Sequence, residues 1–225
     1  MLWGDTHSNR LPGYELPTLK EHLAAADLFV DVGANAGFFT LVASRAGVPV
    51  LAIEPSPINL QSLSENIRMA AGPGAVEMLP LALSDREGEV YLLGSGQGAS
   101  LVTNWRGVRS TYRTRVRAAT LDQVLAGRAG SLLIKVDVEG AEDAVLRGAY
   151  RTLRRSPRPV WLVEHGPEVE PGYVVLFETF WHAGYQIHAL PETPERRPYR
   201  VGSWAVDAWQ REGFAPDLMF VCVAL

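Results

Sequence analysis

This sequence has a single cysteine, Cys222, so no disulfide can form within the chain. It has no apolar run that approaches the roughly 20 residues of a membrane helix. It also has no basic N-terminal segment followed by an apolar one. We therefore expect an unprocessed protein of the cytoplasm that does not span a membrane. Cys222 lies in the apolar run 218–225, which predicts a buried thiol.

Basic residues are in the minority, with 21 lysines and arginines against 25 aspartates and glutamates. The formal net charge of -4 argues against a protein held to nucleic acid or anionic lipid by general basic charge. One stretch departs from this balance and contains Arg106, Arg109, Arg113, Arg115 and Arg117. The favoured interpretation is a solvent-exposed strand and loop. The alternative is a rim that attracts a substrate carrying phosphate or carboxylate.

The sequence does contain a regular alternation of short apolar runs with amphipathic segments. Strands are predicted at 28–32, 50–53, 76–83, 132–136, 160–163, 185–190 and 218–224. Helices are predicted at 18–26, 37–46, 57–71, 120–125, 141–155 and 174–183. Because parallel strands buried on both faces read as continuous apolar runs, this order predicts an α/β fold. We expect a Rossmann-like, seven-stranded, mostly parallel sheet with helices on both faces, and an antiparallel pair formed by 89–93 and 113–118.

Segment 31–40, DVGANAGFFT, leads from an apolar strand through a glycine-rich turn into a helix. Gly33 and Gly37 permit a tight turn and let a ligand approach the backbone closely. The helix N-terminus offers free N–H groups and the positive end of a dipole. Asp31 is a poor neighbour for a pyrophosphate, but it suits the ammonium group of S-adenosylmethionine (SAM). The alternative is a turn with only a packing role.

Two more strand ends carry acidic residues. Glu54 ends the second predicted strand and can accept both ribose hydroxyls of an adenosine, and Pro55 stiffens the turn after it. Ser84 and Asp85 follow the third predicted strand, where an adenine would lie in this layout. Asp85 either accepts from the exocyclic amine of the adenine or simply begins a turn.

The strand at 132–136 is followed by Asp137, Glu139 and Glu142. Because ligands in open α/β sheets bind beyond the carboxyl ends of the strands, Asp137 is expected at the mouth of the site. Lys135 lies inside this apolar strand and must pair with a carboxylate if it is buried. Glu142 suits the first turn of the following helix, so we assign it a structural role.

Glu164 and His165 close the next predicted strand, so we expect them at the same edge as Asp137. A histidine there is a candidate general base, because its usual pKa lies near neutral pH. The alternative is a packed or exposed loop histidine. Asp137, Glu164 and His165 together form a candidate divalent metal site, although nothing in their spacing demands a metal.

The ordered motifs DVGANAGFFT, IEPSP, LALSD, GASL, TLDQVL, IKVDVEGAEDAVLRGA and LVEH closely resemble the FkbM family of SAM-dependent methyltransferases. The resemblance runs from about residue 31 to about residue 190, and its most specific part is KVDVEGAE. It implies O-methylation of a hydroxyl or carboxyl group on sugars, polyketides or other natural products. It also implies cofactor residues at Asp31, Gly33, Asn35, Gly37, Glu54 and Asp85, and an acidic active-site rim of Asp137, Glu139 and Glu164. Our full cofactor prediction adds Phe38, Pro55, Ser84 and Asp137.

For a hydroxyl acceptor, Asp137 or His165 is the expected base, with Glu164 as the third predicted catalytic residue. A carboxylate acceptor needs no base. Two alternatives stay open: a nicotinamide-dependent oxidoreductase, and a cofactor-binding module without catalysis. Asn35 stands where the dinucleotide pattern has its middle glycine, which disfavours the first alternative. A nucleic-acid methyltransferase is disfavoured because we find no Asn-Pro-Pro-aromatic motif.

We expect one domain over 1–225, in which 1–27 is a short N-terminal segment. Loops at 94–105 and 191–217 are expected to contact a small-molecule acceptor. The oligomeric state stays open, with a homodimer as one candidate. Four aromatic residues could cover the acceptor or form a subunit contact, although core packing is the commoner role: Trp181, Tyr199, Trp204 and Trp209.

Overall fold

A computed structural model describes residues 15–94, 99–102, 112–165, 173–190, 197–212 and 218–224. The helices are α1 (Glu15–Leu23), α2 (Phe38–Arg45), α3 (Pro57–Ala70), α4 (Leu121–Val124), α5 (Glu142–Arg147), α6 (Tyr173–His182) and α7 (Ser203–Glu212), with a 3-10 helix at Thr152–Arg154. The strands are β1 (Leu28–Val32), β2 (Val50–Ile53), β3 (Val76–Leu79), β4 (Ala82–Leu83), β5 (Gly88–Leu93), β6 (Arg113–Ala119), β7 (Leu132–Val136), β8 (Val160–His165), β9 (Tyr185–Leu190), β10 (Tyr199–Val201) and β11 (Leu218–Ala224).

The main sheet has eight strands in the order β10-β9-β11-β8-β7-β1-β2-β3. Strands β3, β2, β1, β7 and β8 pair in parallel, whereas β11 runs antiparallel to β8 and β9. A second sheet has the order β4-β6-β5, and its β5–β6 pair is the predicted antiparallel one. The predicted fold class is confirmed, with eight strands in place of seven.

The additional strand, β10, lies in the segment 191–217 that was predicted as a loop, and so does α7. That prediction is wrong for 199–201 and 203–212, whereas 191–196 and 213–217 lie outside the described residues. Two of the three residues of β10 are exposed, so this edge strand lacks the apolar run by which the others were recognised.

Three predicted boundaries need correction. The third predicted strand is two strands in different sheets, β3 and β4, which are separated by Pro80. The helix predicted at 141–155 is the shorter α5, which ends at Arg147 with Gly148 as its C-cap, followed by a 3-10 helix at Thr152–Arg154. Helix α1 spans Glu15–Leu23 and so begins and ends three residues before the helix predicted at 18–26.

Strand alternation divides the core into two layers. Val30 and Val32 of β1 pack with helices α4 to α7, whereas Phe29 packs with α1 to α3 on the opposite face. Asp31 takes the same face as Phe29, since successive side chains point to opposite faces. This rule decides which polar side chains meet at the carboxyl edge of the sheet.

The exposure of several individual side chains bears on the expectations from composition. Cys222 is buried, and the arginines of β6 are exposed, as the favoured interpretation predicted; 106–111 lie outside the described residues. Within the described ranges, no helix is long and apolar enough to cross a bilayer. Trp181 and Trp209 pack against the core, whereas Trp204 is 67% exposed.

Candidate functional site

A cleft opens at the carboxyl ends of β1, β2 and β7, where the strand order changes direction around β1. This is the position at which open α/β sheets bind ligands. The cleft holds about 600 Å³ of space, including the part that is open to solvent. Its polar wall contains Gly33, Asn35, Glu54, Asn59, Asp137 and Glu139, and its apolar wall contains Leu81, Ala82, Leu83, Leu92, Ala99 and Leu101.

The glycine-rich turn allows the backbone to close tightly under this cleft. Gly33 has φ of 79°, and a Cβ atom added there would lie 1.8 Å from the carbonyl oxygen of Asp137. Gly37 has φ of 93°, and its added Cβ would lie 2.5 Å from Cδ1 of Leu63. Gly33 therefore requires glycine for conformation and for space, whereas at Gly37 the positive φ is the requirement, since the Leu63 methyl group can move. Asn35 adopts the left-handed region as well, with φ of 51°.

Glu54 is fixed at the end of β2, on the cleft wall. Its Oε2 accepts the Asn35 N–H at 2.9 Å, and its Oε1 accepts the Ser56 N–H at 2.8 Å and Nδ2 of Asn59 at 3.2 Å. Burial raises the pKa of Glu54, whereas these three donors lower it. The carboxyl group is thus held in one orientation before any ligand binds, and Pro55 lines the cleft beside it.

Lys135 is 1% exposed, and its Nζ lies 2.8 Å from Oδ2 of Asp137 and 4.6 Å from the ring centre of Phe39. The predicted pairing with a carboxylate is confirmed. Burial alone would lower the pKa of Lys135, but the carboxylates of Asp137, Asp31 and Glu164 together raise it above its usual value. One buried ammonium group therefore serves three carboxyl groups on the α1–α3 face of the sheet.

Asp31 is the deepest of these carboxyl groups. It is 1% exposed, it pairs in register with Lys135 on β7, and its Oδ2 accepts from the Thr40 hydroxyl at 2.6 Å. Burial raises the pKa of Asp31, although Lys135 and Thr40 oppose the change. Among the described residues, Oδ1 of Asp31 has no hydrogen-bond partner. Asp31 thus lies beneath the cleft and is not part of its wall.

Glu164 lies beside Asp137, one residue beyond the last paired residues of β7 and β8, Val136 and Val163. Repulsion from Asp137 and then burial raise the pKa of Glu164 well above its usual 4.5, against the opposing effect of Lys135. A hydrogen bond joins the two carboxyl side chains. At neutral pH Glu164 thus holds the proton of the pair, and Asp137 is the carboxylate that is ion-paired with Lys135.

This arrangement predicts the pH dependence of one variant. Folding takes up a proton on Glu164 wherever the pH lies between its unfolded and folded pKa values, so stability falls as pH rises through that window. Asp137, Lys135 and Glu15 are the charged groups that face Glu164. We expect Glu164→Gln to reduce this dependence by up to roughly 1.4 kcal/mol per pH unit. Urea unfolding at pH 5, 7 and 9 measures it, and identical slopes in both proteins would contradict the shared proton.

His165 does not join this cluster, because it follows Glu164 directly and points to the opposite face of the sheet. Burial lowers its pKa to about 4, with Asp143 of α5 opposing the change. The imidazole is therefore neutral at pH 7. The candidate metal triad of Asp137, Glu164 and His165 is not assembled, and the described part of the chain holds no cluster of three His, Cys, Asp or Glu side chains suited to a metal.

Ser84 and Asp85 line a separate, neighbouring cavity, and not the cleft. The Asp85 carboxyl accepts from the Ser84 hydroxyl at 3.3 Å and lies 3.8 Å from Nε of Arg147. Phe38 packs its ring edge against Phe39 and is likewise absent from the cleft lining. These three predicted cofactor residues therefore border the site without forming its wall.

The turn after β7 completes the polar wall. Glu139 has φ of 53° and is followed by Gly140 with φ of 95°. Oε1 of Glu142 accepts the N–H groups of Val138 and Gly140, both at 3.2 Å. Burial raises the pKa of Glu142 to about 7. These contacts agree with the structural role that the sequence predicted for Glu142.

Sequence reasoning gave no individual role to Ala99, Ser100, Leu101 or Asn59, all of which lie at or beside the cleft. The GASL motif was the available signal for the first three. Its role could not be read, because it depends on contacts with residues about 40 positions away.

The fold and the cleft together define a class I methyltransferase architecture. The sequence matches the methyltransferase FkbM domain over residues 31–187, and the chain belongs to this family. No curated protein matches the sequence.

Several solved structures share the fold. The FkbM methyltransferase from Methylobacillus flagellatus KT has a TM-score of 0.55 and 18% identity, and the match covers 88% of this chain and 44% of that one. A protein from Klebsiella pneumoniae, provisionally named an O-methyltransferase, has a TM-score of 0.54 and 16% identity, and the match covers 98% of this chain and 81% of that one. Cofactor-bound Rv0187 from MTB has a TM-score of 0.51 and 15% identity, and the match covers 98% of this chain and 84% of that one. This chain thus spans less than half of the FkbM structure.

Proposed function

We propose that the cleft binds SAM and that the protein transfers the methyl group of SAM to an oxygen of a small organic acceptor. Membership of a methyltransferase family supports this proposal. The observation that carries it is the charge distribution around the cleft. Glu54 presents a fixed carboxyl group on the cleft wall at the end of β2. At the end of β7, three carboxyl groups interact with the buried Lys135.

This distribution suits SAM better than a dinucleotide. The described residues that line the cleft include the carboxyl groups of Asp137 and Glu139 and no lysine or arginine, so this acidic floor attracts an ammonium or sulfonium group and repels a pyrophosphate. Glu54 suits the ribose hydroxyls that SAM and NAD both carry. The discrimination therefore depends on the acidic floor.

The apolar wall is suited to a flat, weakly polar ring. Leu81, Ala82 and Leu83 come from the start of the small sheet. Leu92, Ala99 and Leu101 belong to the same wall and pack in one cluster with Ala82. An adenine ring placed there would remove apolar surface from water, which is worth about 25 cal/mol per Å². Gly33 lets the cofactor approach the backbone, because it carries no side chain.

When bound, SAM supplies a methyl group that is already activated by its sulfonium. The contribution of the chain is then to position the acceptor oxygen and to take its proton. We assign proton acceptance to Asp137, which lines the cleft, is ion-paired with Lys135 and receives a hydrogen bond from Glu164. Glu164 already holds a proton, so its role is to orient Asp137. For a carboxylate acceptor, Asp137 has no proton to take.

The first test is calorimetric titration with SAM, S-adenosylhomocysteine and NAD, with and without magnesium. We expect micromolar binding of the two adenosyl sulfur compounds in both conditions and no binding of NAD. Binding of NAD alone, or of none of the three, would refute the proposal.

Glu54→Ala should weaken SAM binding by at least about tenfold, because it removes the ribose acceptor and frees three donors. Glu65→Ala is the control, since Glu65 is half-buried on α3, its carboxyl accepts from Nε2 of Gln61 at 3.4 Å, and it does not line the cleft. Equal SAM affinities in the two variants would exclude Glu54 from the site.

A further inference from the structure

Ala99 and Leu101 form part of the apolar wall of the cleft, and Ser100 between them bonds to the turn after β7. Ser100 is 2% exposed and pairs with Leu93 through two backbone hydrogen bonds of 2.8 and 3.0 Å. Its hydroxyl accepts the Val102 N–H at 2.9 Å and donates to the carbonyl oxygen of Glu139 at 2.6 Å. This last bond crosses from the small sheet to the turn after β7.

The turn that receives this bond is conformationally costly. Glu139 occupies the left-handed region, which costs a residue with a side chain roughly 1–2 kcal/mol. Two side chains hold the turn from opposite directions: Glu142 accepts its N–H groups, and Ser100 donates to its carbonyl. Val138 and Glu139 line one wall of the cleft, and Ala99 and Leu101 line the other.

We propose that Ser100 is a positioning residue that joins the two walls of the cofactor cleft and fixes their separation. The inference rests on the proposed function, because the ligand whose binding it supports is SAM. Without the hydroxyl, 99–102 keep the backbone pairing with Leu93 and the apolar packing of Ala99 and Leu101, but they lose the bond to the Glu139 carbonyl. Part of the free energy of SAM binding would then be spent on ordering that segment.

The test compares Ser100→Ala with a matched control, Ser44→Ala. Ser44 is fully buried, its hydroxyl donates to the Gly74 carbonyl at 2.6 Å and accepts the Gly72 N–H at 3.0 Å, and it does not line the cleft. Each variant should lower the Tm by about 2–4 °C. Only Ser100→Ala should raise the Kd for SAM, by roughly tenfold. Ser100→Thr should restore wild-type affinity, because it keeps the hydroxyl.

Hydrogen exchange supplies a readout that needs no ligand. In the unliganded protein, the amides of 100–102 and 138–140 should exchange faster in Ser100→Ala than in the wild type. The exchange rates of the same amides should be unchanged in Ser44→Ala. Unaltered exchange of these amides in Ser100→Ala would overturn the inference. An unchanged Kd for SAM in Ser100→Ala would also overturn it, provided that the wild type binds SAM. A wild type that binds no SAM would instead refute the proposed function. Should Ser100→Ala not fold, Ser100→Cys, with its weaker donor, replaces it in both measurements.

Discussion

Asp137→Asn should lower methyl transfer to a hydroxyl acceptor by about 10²–10⁴-fold, the usual contribution of a positioned base. The variant should still fold. With the Asp137 charge removed, the main cause of the raised pKa of Glu164 disappears, so Glu164 ionises and pairs with Lys135. The measurement is S-adenosylhomocysteine formation with a panel of hydroxylated acceptors, together with the Kd for SAM.

His165→Asn tests the other base predicted from the sequence. His165 points to the opposite face, and its pKa of about 4 makes it a weak base at neutral pH, so we expect a change below about tenfold. A larger loss of methyl transfer in His165→Asn than in Asp137→Asn would instead assign the base role to His165. Full activity of Asp137→Asn would exclude Asp137 as the base and would favour a carboxylate acceptor.

Lys135→Met should destabilise the protein by about 3–5 kcal/mol at neutral pH, because it leaves buried carboxyl groups without their cation. Lys135 lowers the pKa values of Asp31 and Glu164, so its removal raises both further above their unfolded values. The variant therefore takes up more protons on folding than the wild type. For Glu164 this extra uptake begins where the wild-type residue ionises, at a pKa of about 9, so the deficit in unfolding free energy should grow as pH rises through that value.

Urea unfolding at pH 7 and pH 10 measures this difference. The control is Arg115→Met, since Arg115 is 65% exposed and its pair with Glu89 at 3.3 Å is screened by solvent; we expect a loss below about 1 kcal/mol. The double variant Lys135→Met, Asp137→Asn should recover part of the loss. A pH-independent deficit in Lys135→Met would show that lost packing, and not unpaired charge, causes it.

Where apolar periodicity was strong, the sequence was sufficient to locate the elements. Strands β1, β2 and β7 have the predicted bounds, because each is a short, mainly apolar run that is buried along almost its whole length. Strand β9 also has the predicted bounds, although Gln186 and His188 interrupt its apolar residues. Helix α3 begins at the predicted residue, Pro57, with Ser56 as its N-cap. Weakly apolar elements such as β10 gave no comparable signal.

The sequence by itself determined the fold class, the family, the glycine-rich turn and the position of Glu54, because these depend on local patterns along one strand and the turn after it. The tertiary structure decided which polar groups meet. Glu164 and His165 are neighbours in sequence but lie on opposite faces of the sheet, since a strand alternates its side chains. The shared proton of Asp137 and Glu164, the buried place of Asp31 and the bond from Ser100 to Glu139 depend on burial and on contacts between distant segments, which the sequence does not display.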